Sequence, residues 1–410
     1  MNQRRGYLRL LQDINPSSEI WWDAAPTLLT DHRRQLKNAY PGQARYIQQL
    51  LTDQVLDVPT GYSGSTTNPR LVTSAVLAKR QYWSQIAKQH SMDLNPEQLH
   101  NMLYERVIQD GAKMLQPLWE ISNGRYGWLS AQVNPCRADN AESMIDHGVS
   151  LARQGRNIMI KIPASGAGCR AMRTLVAQGY SINCTFCYTV SQFTSCLAAI
   201  HEGRLEARNK GISIAQAMYV ITFMIGRFSA QHEFELQAAE RRISLTQEEK
   251  RWAEITLYQR IQQQVRQADV PARLLLSSIK VDQAPNGLPI SWHLEKTGGN
   301  ETVYTMTPAI FEFLVQRESL GDPVEPSRDA QIPESVLSRL MEIPYFYEAY
   351  YDGAIHPDDY TSHPAFVSTC TEALAAHRRL RDFATLHTKN ITLPKPRTNK
   401  AFSSKMRGMP

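Results

Sequence analysis

Long apolar stretches are missing from this 410-residue chain. No run approaches the roughly 18 residues needed to cross a bilayer, so a helical membrane protein is excluded and no membrane partner is expected. Met1 to Leu11 carries Arg4, Arg5 and Arg9 but no apolar core or small-residue cleavage site. It does not read as a secretory signal, and a cytoplasmic location is the expectation. A strong charge of one sign is missing too: 45 basic residues stand against 39 acidic ones, a formal charge of +6 spread along the chain. With no helix-turn-helix, zinc-finger or RRM pattern, no nucleic-acid partner is expected, and mild basicity serves phosphorylated metabolites equally well. The eleven histidines contain no His-x-x-x-His pair. Glu97-Gln-Leu-His100 is a single Glu-x-x-His just after Pro96, read as a solvated helix start, so no metal is expected. Of the six cysteines, Cys184 and Cys187 match C-x-x-C, but in a strand-like context without a second pair. They read as structural thiols, like Cys136, Cys169, Cys196 and Cys370. There is no internal repeat.

What is present is a globular composition, 42% hydrophobic and 20% charged, in which short apolar runs alternate with helical periodicity. Strands are expected at Glu19–Asp23, Trp128–Val133, Asn157–Ile162, Tyr180–Cys187, Tyr219–Arg227, Arg273–Lys280 and Glu301–Met306. Helices are expected across 72–120, 140–154, 166–178 and 190–202, and again at 334–340 and 366–383. Such alternation predicts a parallel sheet covered by helices, and its count predicts closure into a (β/α)8 TIM-type barrel with helical insertions and a C-terminal extension. Residues 1–385 are expected to form this single domain and 386–410 a flexible tail. The aromatic segment Pro344–Tyr351 reads as core packing ahead of a cover for the barrel mouth or a subunit contact.

In such a barrel the working residues stand where strands end. The polar candidates there are Asp23, Asn68, Gln132, Lys161, Asn183, Thr185, Thr222, Arg227, Ser278 and Lys280. Lys161 is the sharpest, set within Ile158-Met-Ile-Lys-Ile162. Desolvation lowers a lysine pKa and frees a neutral amine for attack on a carbonyl. Taken alone, it reads equally well as an ion-paired or snorkelling strand lysine.

Two longer motifs weigh in. Gly64-Ser-Thr-Thr-Asn-Pro-Arg-Leu71 and Asn157-Ile-Met-Ile-Lys-Ile-Pro-Ala-Ser-Gly-Ala-Gly168 resemble the two signatures of the transaldolase family, and the similarity runs from about Glu19 to Leu314. The resemblance implies a Schiff base on Lys161, with Asp23 as the acid/base at carbon–carbon cleavage and no cofactor. It further implies that Gln132 and Thr185 hold a water, and that Thr67, Asn68 and Asn183 lie at the substrate hydroxyls. Thr222, Arg227, Ser278 and Lys280 would then lie at a phosphate. The implied ligand is a sugar or sugar phosphate, and a homodimer is an open expectation.

Three positions depart from that pattern. Gln132 replaces the usual glutamate, as in the related fructose 6-phosphate aldolases; Met224 replaces an aromatic residue in the wall near the reacting carbon; and Lys280 replaces an arginine, exchanging a bidentate fork for a point charge. The expected activity is transfer of a dihydroxyacetone-type unit between sugar phosphates or related sugars, in pentose phosphate or specialised metabolism. An aldolase releasing free dihydroxyacetone, and a silent barrel that only binds, are the alternatives.

Overall fold

The alternation of strand and helix closes on itself. The computed structural model describes residues 6–52, 59–299, 301–327 and 330–388, and in it eight parallel strands form a closed barrel. They are β1 Glu19–Trp22, β2 Gly64–Thr66, β3 Trp128–Gln132, β4 Ile158–Pro163, β5 Ile182–Cys187, β6 Tyr219–Phe223, β7 Ala272–Leu276 and β8 Thr302–Met306. Strands follow one another in chain order, and β8 completes the circle against β1, with Glu19 opposite Val303 and Trp22 opposite Met306.

Seven of these strands are expected from the sequence. The eighth, β2, reads Gly-Ser-Thr and has no apolar residue to announce it. Its first residue must be small, because a Cβ on Gly64 would lie 2.6 Å from the Trp21 indole. Two other strands are shorter than their apolar runs. The run Tyr219–Arg227 leaves the sheet at Phe223 and becomes a short helix, Ile225–Phe228. The run Arg273–Lys280 leaves it at Leu276, and Ser278 turns through left-handed backbone with φ 60°.

Side chains alternate between the two faces of a strand, and this sets the barrel's contents. On β4, Ile158, Ile160 and Ile162 join the outer core beneath the helices, while Met159 points to the axis. Trp21, Trp128, Met159, Val220, Leu275 and Val303 form one apolar plug, each fully buried aliphatic contributing roughly 1.5–3 kcal/mol. At the N-terminal end the buried Glu19 accepts from Trp21 Nε1 (3.0 Å) and Ser63 Oγ (2.7 Å) and pairs with Arg273. Above the plug the inward positions turn polar. Thr222 Oγ1 donates to Asn183 Oδ1 (2.7 Å), and Asn183 Nδ2 donates to Ser130 Oγ (2.8 Å).

A long helix, Pro364–His387, packs against helices Pro69–Ala78 and Pro96–Ile121 at the C-terminal end of the barrel. Thr369 Oγ1 and Tyr188 Oη share a hydrogen bond (2.7 Å), Thr73 Oγ1 donates to the Ala376 carbonyl (3.0 Å), and Phe366 meets Phe186 edge-on at 5.2 Å. The expected tail falls mostly outside the described residues, since this helix ends at His387. The same helix corrects the reading of Glu97-x-x-His100. Asn95 does cap that helix start, but His100 is buried, its ring 4.1 Å from that of His377. Donor atoms of Glu97, His100 and His377 lie within 4.8 Å of one another. Arg381 Nε stands 3.5 Å from Glu97, a charge that opposes a cation there. The aromatic segment splits: Tyr345 and Phe346 pack into the core, whereas Tyr347 and Tyr351 are exposed.

His363 caps the final helix. Its Nδ1 accepts from Ala365 N (3.3 Å), and its ring stacks on Tyr188 at 5.6 Å. The neutral ring therefore carries its proton on Nε2, which is buried without a partner among the described residues. Burial lowers its pKa from 6.5 to about 4. Between those values the unfolded chain binds the proton and the folded one does not, so stability is lost as pH falls through this window. From pH 7 to pH 5 this group alone should cost about 2 kcal/mol. His363→Asn, which keeps a capping oxygen, should flatten that slope in urea titrations at the two pH values; an unchanged slope would assign the acid sensitivity elsewhere.

Candidate active site

The polar end of the barrel opens into a cavity of about 60 Å³ whose wall includes Asp23, Asn68, Gln132, Lys161, Thr185, Met224, Arg227 and Ser278. Eight of the twelve residues singled out from sequence thus meet in one place. Thr67, Asn183, Thr222 and Lys280 are not in this wall. Thr67 Oγ1 donates to the Ser130 carbonyl (2.7 Å), and Asn183 and Thr222 are bonded to each other one layer deeper. Lys280 is exposed, its backbone N–H donating to His293 Nδ1 (3.1 Å).

Lys161 stands at the axis because Met159, two residues earlier on β4, does so too. It is 5% exposed. Burial lowers its pKa, and the charge of Asp23 counters this only in part. Asp23 follows β1 directly, keeps some surface open to the cavity and is otherwise enclosed. Burial raises its pKa against the opposing effects of Lys161, a Thr66 hydrogen bond, Arg70 and Arg227. Both groups are thereby pushed toward their neutral forms, which is the condition for an amine nucleophile and a carboxyl that exchanges protons near neutral pH. Thr66 Oγ1 donates to Asp23 Oδ1 (2.6 Å), which leaves Thr305 as the donor in the 2.6 Å contact between Thr305 and Thr66. This hydroxyl chain fixes the carboxylate.

Asn68 combines the bland and the functional readings. Its Oδ1 caps helix Pro69–Ala78 by accepting from Leu71 N (3.0 Å), so its NH2 is the part left to face a ligand. Gln132 Nε2 is buried without a partner among the described residues, a donor that a water or a hydroxyl in the cavity would satisfy. Met224 is held by the Tyr188 hydroxyl at 3.3 Å from its sulfur, with Thr185 Oγ1 at 3.9 Å. Phe186 and Ser278, both in the wall, adopt left-handed backbone with φ 59° and 60°. Non-glycine residues held this way concentrate at functional sites. Gly226 lets the turn after β6 approach Ser278, since a Cβ there would lie 2.2 Å from the Ser278 carbonyl oxygen.

Sequence reasoning missed Thr66, Arg70 and Glu372. The first two lie inside the Thr-Thr-Asn-Pro-Arg motif and could have been found there. Glu372 is on the final helix and had no local signal. It grips Arg227 with both oxygens, at 2.8 Å from Nη1 and 2.6 Å from Nη2.

The sequence profile of the transaldolase/fructose-6-phosphate aldolase family matches residues 49–351. The chain belongs to that family. Among similar proteins, the transaldolase of Mycobacterium tuberculosis is 28% identical over 170 residues, covering 41% of this chain and 46% of its own length. Transaldolase 1 of Streptomyces avermitilis is 28% identical over 178 residues, covering 43% and 47%. Transaldolase 2 of Streptomyces coelicolor is 26% identical over 177 residues, covering 43% and 48%. The match spans about half the length of these relatives. Among the described residues, no helix of this transaldolase-family chain is long and apolar enough to cross a membrane.

Removing the ammonium should raise the Asp23 pKa further, because Lys161 is the largest influence holding it down. Carbon-13 NMR of the Asp23 carboxyl in Lys161→Met measures this, and an unmoved titration would mean that the two charges do not sense each other.

Proposed function

We propose that this chain is a transaldolase-like enzyme that forms a Schiff base on Lys161 and transfers a dihydroxyacetone-type three-carbon unit between sugars. The observation that carries the reading is the pairing of a buried, pKa-lowered Lys161 with a buried, pKa-raised Asp23 in one cavity at the C-terminal end of the barrel. Family membership and the relatives named transaldolase support it.

In this reaction the neutral Lys161 amine attacks the ketone carbon of the donor, and loss of water from the adduct leaves an iminium. Asp23 takes the proton of the hydroxyl two carbons from the iminium carbon. The bond between the one intervening carbon and the hydroxyl-bearing carbon breaks, an aldehyde leaves, and the electron pair is held as an enamine on the lysine. An acceptor aldehyde then adds to the enamine carbon, Asp23 returns the proton, and water releases the product. Gln132, opposite Lys161 on the neighbouring strand, and Thr185, in the same cavity wall, hold the water gained and lost at the imine. Asn68 and Ser278 face the hydroxyls of the substrate.

The neutral Gln132 amide, whose Nε2 has no partner among the described residues, favours one second reading. With no carboxylate at this position to drive proton transfer through the water, the outcome includes aldol cleavage with release of free dihydroxyacetone. Product analysis with and without an acceptor aldehyde separates the two.

Dihydroxyacetone is the smallest donor and carries no phosphate. Reduction of its mixture with the protein by borohydride should leave a three-carbon adduct on Lys161 in peptide mass spectra, and none in Lys161→Arg. Asp23→Asn should keep the adduct while carbon–carbon cleavage falls about 10²–10⁴-fold. Absence of any adduct from folded protein would sink the imine mechanism and leave a barrel that only binds.

A further inference from the structure

The wall of the cavity includes a carboxylate of the chain itself, that of Glu372. Arg227 offers the planar fork that suits a phosphate, yet both of its terminal nitrogens are bonded to Glu372. Arg70 and Lys280 add their charges around the same carboxylate, and with Arg227 they hold its pKa below the ordinary range. Two cations, Arg70 and Arg227, and one built-in anion therefore stand together in the wall, and Lys280 adds its charge from outside it.

Glu372 keeps 48% of its side chain exposed, yet it stands on a helix that is fixed against the barrel. It shares a helix face with Thr369 and Ala373, which also line the cavity, and that face is pinned by the Thr369–Tyr188 and Thr73–Ala376 hydrogen bonds and by Phe366 on Phe186. A phosphate brings roughly one and a half to two negative charges. To reach Arg227 it must displace Glu372 or lie against it. A hydroxyl group meets neither obstacle, and the side chain of Ser278 and the neutralised ion pair offer it both donors and acceptors.

We propose that Glu372 serves as a tethered substitute for a substrate phosphate, so that this site takes an unphosphorylated polyhydroxy ketone. The proposal rests on the imine chemistry above and adds the substrate class. It also makes Glu372 a specificity-determining residue of the subsite.

The test compares borohydride trapping on Lys161 by fructose and by fructose 6-phosphate across a concentration series, in the wild type, Glu372→Gln and Glu372→Ala, with inorganic phosphate as competitor. The wild type should trap the neutral ketose at lower concentration than its phosphate ester, and inorganic phosphate should not compete. Both variants should shift the ratio toward the phosphate ester by about tenfold or more, phosphate should now compete, and Arg227→Ala in the Glu372→Ala background should abolish the gain. A wild type that favours the phosphate ester, or variants with an unchanged ratio, would overturn the proposal, because Glu372 would then be stepping aside for phosphate. Calorimetric binding of inorganic phosphate reads the subsite without imine chemistry. Binding by the wild type as tight as by Glu372→Ala would overturn the proposal on its own, whereas lack of a dihydroxyacetone adduct in every variant would indict the imine mechanism instead.

Discussion

The burial of an amine and a carboxyl at the axis of a closed barrel is the constraint on which the rest depends. An ion taken out of water is costly, and Lys161 and Asp23 answer that cost by shifting toward neutrality rather than by forming a tight ion pair. Everything beneath them serves to keep water out from below. The plug of Trp21, Trp128 and Met159 seals the barrel, Glu19 and Arg273 close its N-terminal end, and the Ser130–Asn183–Thr222 chain satisfies the polar groups between plug and cavity.

The same constraint gives the final helix its importance. A barrel opens at its C-terminal end, and the depth of Lys161 there depends on what lies across the opening. Here helix Pro364–His387 contributes Thr369, Glu372 and Ala373 to the cavity wall. It is anchored through Tyr188, which also holds Met224. The Met224 side of the cavity wall and the Glu372 charge in it are therefore both tied to one helix. Its first turn is capped by His363, a buried neutral imidazole, so the cover shares the acid sensitivity of that ring.

Much of the barrel could be read from strand periodicity, and the parts that could not have identifiable causes. Polar residues at inward positions, such as Gln132, Lys161 and Thr185, are conspicuous against apolar neighbours. β2 is hidden because Gly64 had to yield space to an indole and Ser65 and Thr66 are polar. The ends of β6 and β7 are hidden because apolar content continues past Phe223 and Leu276 into a short helix and a left-handed turn. Thr222 and Asn183 belong to the site's sequence pattern, but they spend their hydrogen bonds on each other below the cavity.

Two residues that define the site lie outside the span matched by the family profile, Asp23 before it and Glu372 after it. Asp23 was nevertheless legible, because a carboxylate ending an apolar strand is a local pattern. By itself the sequence determined the inward faces of the long strands, the apolar setting of Lys161 and the order of its motifs, since these depend on neighbours one to four residues away. Only the tertiary structure decided that Glu372 meets Arg227, that His377 meets His100 and that the final helix reaches the cavity. Those two side-chain pairs join residues at least 145 positions apart, and helical periodicity states which face is apolar without stating what that face will touch.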